Sequence, residues 1–101
     1  MFVDGNIQVW LEADKAKGSI ITPYVQSSVE QTLQYRLRAT KEGSHGRSEI
    51  SQSGTITIEA RQPMALGSIG MSVAPEDACR IELSLAEGGV VIATYLLSCP
   101  R

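Results

Sequence analysis

Apolar and polar residues alternate along most of this chain with a period of two. Ile7, Val9, Leu11 and Ala13 interleave with Gln8, Trp10, Glu12 and Asp14. Leu33, Tyr35, Leu37 and Ala39 interleave with Gln34, Arg36, Arg38 and Thr40, and Cys79, Ile81, Leu83 and Leu85 with Arg80, Glu82 and Ser84. Shorter stretches repeat the pattern at Ile56-Ile58-Ala60 and Ile69-Met71-Val73. A two-residue period is that of a half-buried strand, and strands with one wet face belong to antiparallel sheets.

One segment competes for another reading. Ser28 and Gln31 form a capping-box spacing, and residues 27–41 are rich in good helix formers. On a helix, however, Leu33 and Tyr35 would lie about 200° apart, scattering the apolar set around the axis. A strand gathers it on one face, so the segment is assigned as a strand. Turn residues punctuate the runs at Lys15–Gly18, Lys41–Gly46, Gln62-Pro63, Ala74–Asp77 and Gly88-Gly89. Pro23 directs the strand around it towards an edge or a bulge. Gly54 predicts that Ser48–Ala60 is two strands or one bent at a bulge. The expectation is an all-β fold, an immunoglobulin-like antiparallel β-sandwich of about seven strands, as one domain over residues 1–101 with residues 1–5 as a flexible end.

The two cysteines carry a register test. Residues 79–86 and 90–98 read as a hairpin through Gly88-Gly89. A three-residue loop Glu87-Gly88-Gly89 makes opposed residues sum to 176, matching Leu83 with Ala93 and Ile81 with Tyr95. Cys79 and Cys99 then share a face one diagonal apart, and a single bulge would bring them opposite. A two-residue turn shifts the sum to 177 and places them on opposite faces, which largely forbids a bond. A Cys79–Cys99 disulfide is the expectation for an oxidising compartment; two buried thiols are the alternative.

Composition narrows the function classes. The chain has 101 residues, 43% hydrophobic, with nine Lys or Arg against eleven Asp or Glu and a net charge of −2. That balance argues against a dedicated nucleic-acid binder, which needs surplus cations. The longest apolar run, Val90–Ala93, is far below the ~20 residues of a spanning helix, so no membrane insertion is expected. Met1-Phe2-Val3 is followed at once by Asp4, Gly5 and Asn6, which is no secretory signal. The chain is either cytosolic or a mature form whose leader is gone.

Catalytic chemistry finds no purchase. The one histidine, His45, sits among Gly43, Ser44 and Gly46 on a hairpin tip, with nothing to hold it as a base. Neither cysteine has a neighbour at metal-ligand or CxxC spacing. Glu76-Asp77 follow Pro75 in a turn. No cofactor, metal or enzyme activity is expected. Charge placement is more informative: Arg36 and Arg38 lie on the polar face of their strand, with Lys41 just beyond and Arg47 across the turn. Four of the nine basic residues thus fall within twelve positions. This is either an ordinary solvated face or a cationic patch that steers an acidic partner.

The order of segments resembles the curli assembly inhibitors of the CsgC/CsgH type, most closely the CsgH branch. The resemblance rests on Gly18-Ser-Ile-Ile-Thr-Pro-Tyr-Val25, Leu33-Gln-Tyr-Arg-Leu37, Gly43, and Gly46-Arg-Ser-Glu-Ile-Ser-Gln-Ser-Gly54. Leu66-Gly67, Met71-Ser-Val-Ala-Pro-Glu-Asp77 and Leu96-Leu-Ser-Cys-Pro100 complete it. It implies a periplasmic, monomeric, immunoglobulin-like sandwich that keeps the curli major subunit, an acidic amyloid-forming client, from polymerising before its secretion. Where the CsgC branch carries Cys-x-Cys, this chain has Thr32-Leu33-Gln34. That removes the thiols of a redox role and leaves Cys79 and Cys99 as structural residues. Arg36, Arg38, Lys41 and Arg47 are the expected client-binding residues. Two other readings stay open: a thiol-disulfide or folding factor for secreted proteins, and a generic immunoglobulin-like binding module.

Overall fold

The computed structural model describes residues 7–14, 20–44, 46–70 and 76–99. The turn at 15–18, His45, Met71–Val73, Ala74-Pro75 and the N-terminal residues 1–5 fall outside them. Eight strands follow one another: β1 (Gln8–Asp14), β2 (Ile20–Gln26), β3 (Gln31–Gly43), β4 (Gly46–Ile58), β5 (Met64–Ala65), β6 (Ile69–Gly70), β7 (Ala78–Glu87) and β8 (Val90–Ser98). They form two antiparallel sheets, one ordered β1-β2-β5 with β6 also paired to β2, the other β4-β3-β7-β8. β5 and β6, two residues each, act as one interrupted strand along β2.

Burial follows the alternation. Leu33, Leu37 and Ala39 of β3 and Ile81, Leu83 and Leu85 of β7 are fully buried. Across the two strands Leu37 faces Leu83 and Ala39 faces Ile81. Ile21 and Val25 of β2, with Leu66 and Ile69, close the core from the other sheet. Residues 31–43 are one strand from end to end, because only a two-residue period buries this set on one side.

Two local expectations need correction. β2 is not an edge: it lies between β1 and the β5–β6 pair, with Pro23 opposite Leu11. The missing proline N–H is accommodated on the other side. The Pro23 carbonyl accepts from Leu66 N at 2.9 Å, so the proline nitrogen faces the break between β5 and β6. There, three residues (66–68) oppose two (22–23), a bulge in the partner strand. Gly54 neither splits nor bends its strand, since β4 pairs with β3 without a register shift from Gly43–Gly46 to Gln31–Ile58. Glycine is needed there for space. The Tyr35 ring lies across it, and a Cβ would meet the ring's Cε1 at 3.2 Å.

The β7–β8 turn also differs from the three-residue loop. Glu87 pairs with Val90, and Gly88 and Gly89 adopt φ of 58° and 83°, a two-residue turn of the type that demands positive φ twice. Alone, this turn would set Cys79 opposite Ser98. An extra residue, Ile92, intervenes between the Ala86–Val91 and Leu85–Ala93 pairs. The bulge moves the remaining register by one. Leu83 faces Tyr95 and Ile81 faces Leu97, in place of Ala93 and Tyr95. The next residues outward are Cys79 and Cys99, joined as a disulfide with Cα atoms 5.5 Å apart. Cys99 N donates to Cys79 O at 3.4 Å, so the bond staples a pair already in register.

Two stability measurements check this packing. Leu83→Ala removes a fully buried side chain and lowers the unfolding free energy in urea by about 3 kcal/mol. Replacing both cysteines by serine opens a loop of 20 residues and costs about 3 kcal/mol. Adding reductant reproduces that loss in the parent protein and leaves the double variant unchanged.

Candidate functional site

Because β3 turns its leucines inward, Arg36, Arg38, Thr40 and Glu42 must stand on the outer face of the second sheet. Pairing brings neighbours to each from both sides. Arg36 lies between Ser53 of β4 and Ser84 of β7, and Arg38 between Ser51 and Glu82. Thr40 lies between Glu49 and Arg80, and Glu42 opposite Arg47.

Charges on this face are interleaved rather than uniform. Arg38 Nε lies 3.3 Å from Glu49 Oε2, Arg47 Nη2 lies 3.3 Å from the same oxygen, and Arg47 Nε lies 3.6 Å from Glu42 Oε1. All these side chains are exposed, so each pair contributes less than ~1 kcal/mol. Among the described residues, Arg36 takes part in no ion pair. It borders a shallow open groove of about 470 Å³ with Arg38, Glu49, Ser51, Gln52 and Ser53.

Of the four basic residues singled out in the sequence, the fold brings three to this face. Arg36 and Arg38 stand side by side on β3, and Arg47 is returned by the β3–β4 hairpin, where Glu42 and Glu49 hold it. Lys41 does not join them. Its strand position has the parity of Leu37 and Ala39, it is half-buried, and it lies opposite Cys79 and Ser48. Arg80 and Glu82, absent from the sequence-based set, complete the face. Their polar alternation on β7 was visible. That they flank Thr40 and Arg38 depends on the β3–β7 register, which no single strand reveals.

Other chemistry is sparse. Among the described residues no three His, Cys, Asp or Glu side chains are grouped to hold a metal ion, and no helix is long and apolar enough to cross a membrane. Cys79 and Cys99 are 8% and 6% exposed and lie on the core side, away from the arginine face. On the outer face of the first sheet, Trp10 stacks on Tyr24 with ring centroids 5.7 Å apart. Its Nε1 donates to Glu12 Oε2 at 3.1 Å.

Comparison with known proteins places this arrangement. A family model described as thin aggregative fimbriae synthesis protein matches residues 5–96. Curli assembly protein CsgC of Escherichia coli strain K12 is 27% identical over 74 residues, covering 71% of this chain and 67% of the relative. CsgC of Escherichia coli O1:K1 is 28% identical over 68 residues, covering 67% of this chain, so the match spans 62% of the relative's length. Two solved structures share the fold. The solution structure of R. palustris CsgH superposes with a TM-score of 0.72 at 24% identity, covering 91% of each chain. E. coli CsgC superposes with a TM-score of 0.75 at 22% identity, covering 95% of this chain and 100% of the other. The two likenesses are alike in strength and favour neither the CsgH nor the CsgC branch. With the sandwich, its strand order and the family match in agreement, the chain belongs to the thin aggregative fimbriae synthesis family, that of the curli assembly protein CsgC.

Proposed function

We propose that this protein restrains curli polymerisation, acting in the periplasm as a chaperone-like inhibitor that meets the major subunit transiently before its secretion. Membership in a curli assembly family supports the process. The disulfide suits an oxidising compartment. The observation that carries the mode of contact is the outer face of β3. There Arg36 has no ion pair among the described residues and stands beside a groove lined by Arg38 and two serines.

Such a face attracts an acidic client weakly and over a distance. Four arginines (36, 38, 47 and 80) share it with three glutamates (42, 49 and 82), so the local positive potential is greatest at the Arg36 end. Steering of this kind raises the encounter rate more than the affinity. An inhibitor of nucleation that need not hold its client suits that regime. Thiol chemistry is the weaker reading, because both cysteines are bonded and buried. A generic binding module would leave fibre formation untouched.

Fibre growth of purified curli major subunit, followed with substoichiometric protein, tests the reading. The parent protein lengthens the lag. Arg36→Glu combined with Arg38→Glu removes most of that delay, whereas Arg47→Ala, already neutralised by Glu42 and Glu49, changes it little. Raising salt from about 0.1 M to about 1 M shortens the screening length from about 10 Å to about 3 Å. The delay, measured against subunit alone at each salt concentration, shrinks accordingly. Equal delays for parent and charge-reversed protein, insensitive to salt, refute electrostatic steering.

A further inference from the structure

Sheet edges are templates for strand addition, and proteins blunt them with charge, proline, shortness or cover. Three edges of this sandwich are blunted. β4 carries the Arg47–Glu49 pair, and Gln52 Nε2 reaches Ser68 O at 3.4 Å, tying mid-strand to the β5–β6 connection. β5 and β6 are two residues each. β1 carries Glu12 and Asp14.

β8 is the exception. Its sequence, Val-Val-Ile-Ala-Thr-Tyr-Leu-Leu-Ser, contains no charged residue, proline or glycine. Among the described residues it is paired with β7 alone. Three of the four large hydrophobic residues exposed on the described surface belong to it: Val90 at 66%, Val91 at 59% and Leu96 at 64%. The bulge at Ile92 twists the strand near its turn, leaving Ala93–Ser98 as six regular residues. Uncharged, proline-free, β-prone segments of about this length are those that build steric zippers.

We propose that β8 is a strand-addition edge that accepts an extended, uncharged, β-prone segment of the curli subunit as a transient fifth strand of the second sheet. The inference rests on the curli reading above and deepens it: arginines on β3 steer the encounter, and β8 makes the contact. Charge complementarity selects the occupant, since a segment lying along six uncharged residues gains nothing from ionised side chains and loses their hydration. The contact is also small. Six paired residues span about 20 Å and cover on the order of 250 Å² per partner, well under the ~800 Å² of a stable complex. That suits a client met and released better than a lasting dimer of this chain. A segment held there joins a sheet whose outer face carries Arg38 and Glu82 in the neighbouring rows. Such a face opposes dry stacking of a second sheet.

The test uses the full chain and purified curli major subunit. Leu96 is exposed on the outer face opposite Glu82, so Leu96→Lys leaves the fold intact, which circular dichroism and thermal unfolding verify. Thr94→Lys, likewise exposed and outward, is a second variant. Either lysine lowers the fibre delay per mole of protein about tenfold, equivalent to about 1.4 kcal/mol. Amide resonances of Val90–Ser98 in the isotope-labelled parent broaden when subunit is added, and this broadening disappears in the variants. Unchanged delay in both variants, or broadening confined to β4, overturns the proposal while leaving the curli function standing. Broadening at β8 without any delay by the parent overturns the function and leaves the binding edge. A parent dimer in sedimentation that Leu96→Lys dissociates, with delay unaltered, assigns β8 to a second copy and also overturns the proposal.

Discussion

The pairing of β3 with β7 is the constraint on which the rest of the structure depends. Leu37 against Leu83 and Ala39 against Ile81 are buried without remainder, and strand geometry allows no compromise between faces. A slip of one residue would turn every leucine outward and every arginine inward. Burying this apolar ladder therefore places Arg36 and Arg38 in solvent. The same register sets Arg80 and Glu82 beside them. The surface chemistry of the second sheet is a consequence of its core.

A second constraint acts at the end of that sheet. The Gly88-Gly89 turn fixes β8 on β7 in one register, and the extra residue Ile92 changes it to another. Only the second register sets Cys79 opposite Cys99. The bulge thus reconciles the tight turn with the disulfide, and the disulfide in turn holds the far end of a hairpin whose outer strand has no other described partner. An uncharged edge strand kept in register at both ends is well suited to remain folded while exposing apolar side chains.

Strand parity was legible in the sequence, and with it the β-sandwich, the inward leucines and the outward Arg36 and Arg38. What crosses between strands was less so. Glu42 and Glu49 looked dispersed along the chain, yet the β3–β4 hairpin folds them against Arg47, and Glu49 against Arg38. Lys41 looked adjacent to Arg38 but has the opposite parity. Gly54 resembled a strand breaker because nothing local says that Tyr35 lies over it. Pro23 looked like an edge residue because the interruption accommodating it lies more than forty positions away, in residues 66–68. The family resemblance was carried by the order of strands and turns, which the chain shares with both solved relatives, and this is why it identified the family without resolving a branch.

Function on such a scaffold resides on its surface. Among the described residues there is no metal cluster, and the sulfurs are bonded on the core side. That leaves a charge-laced face and an apolar edge, both supplied by the second sheet. The most direct measurement is the lag before curli fibres appear with substoichiometric protein, for the parent and for the folded Cys79→Ser/Cys99→Ser double variant. A surface mechanism predicts a lengthened lag, equal for the two at a temperature where both are native. No delay by the parent, or a delay lost with the cysteines while the fold persists, would contradict it.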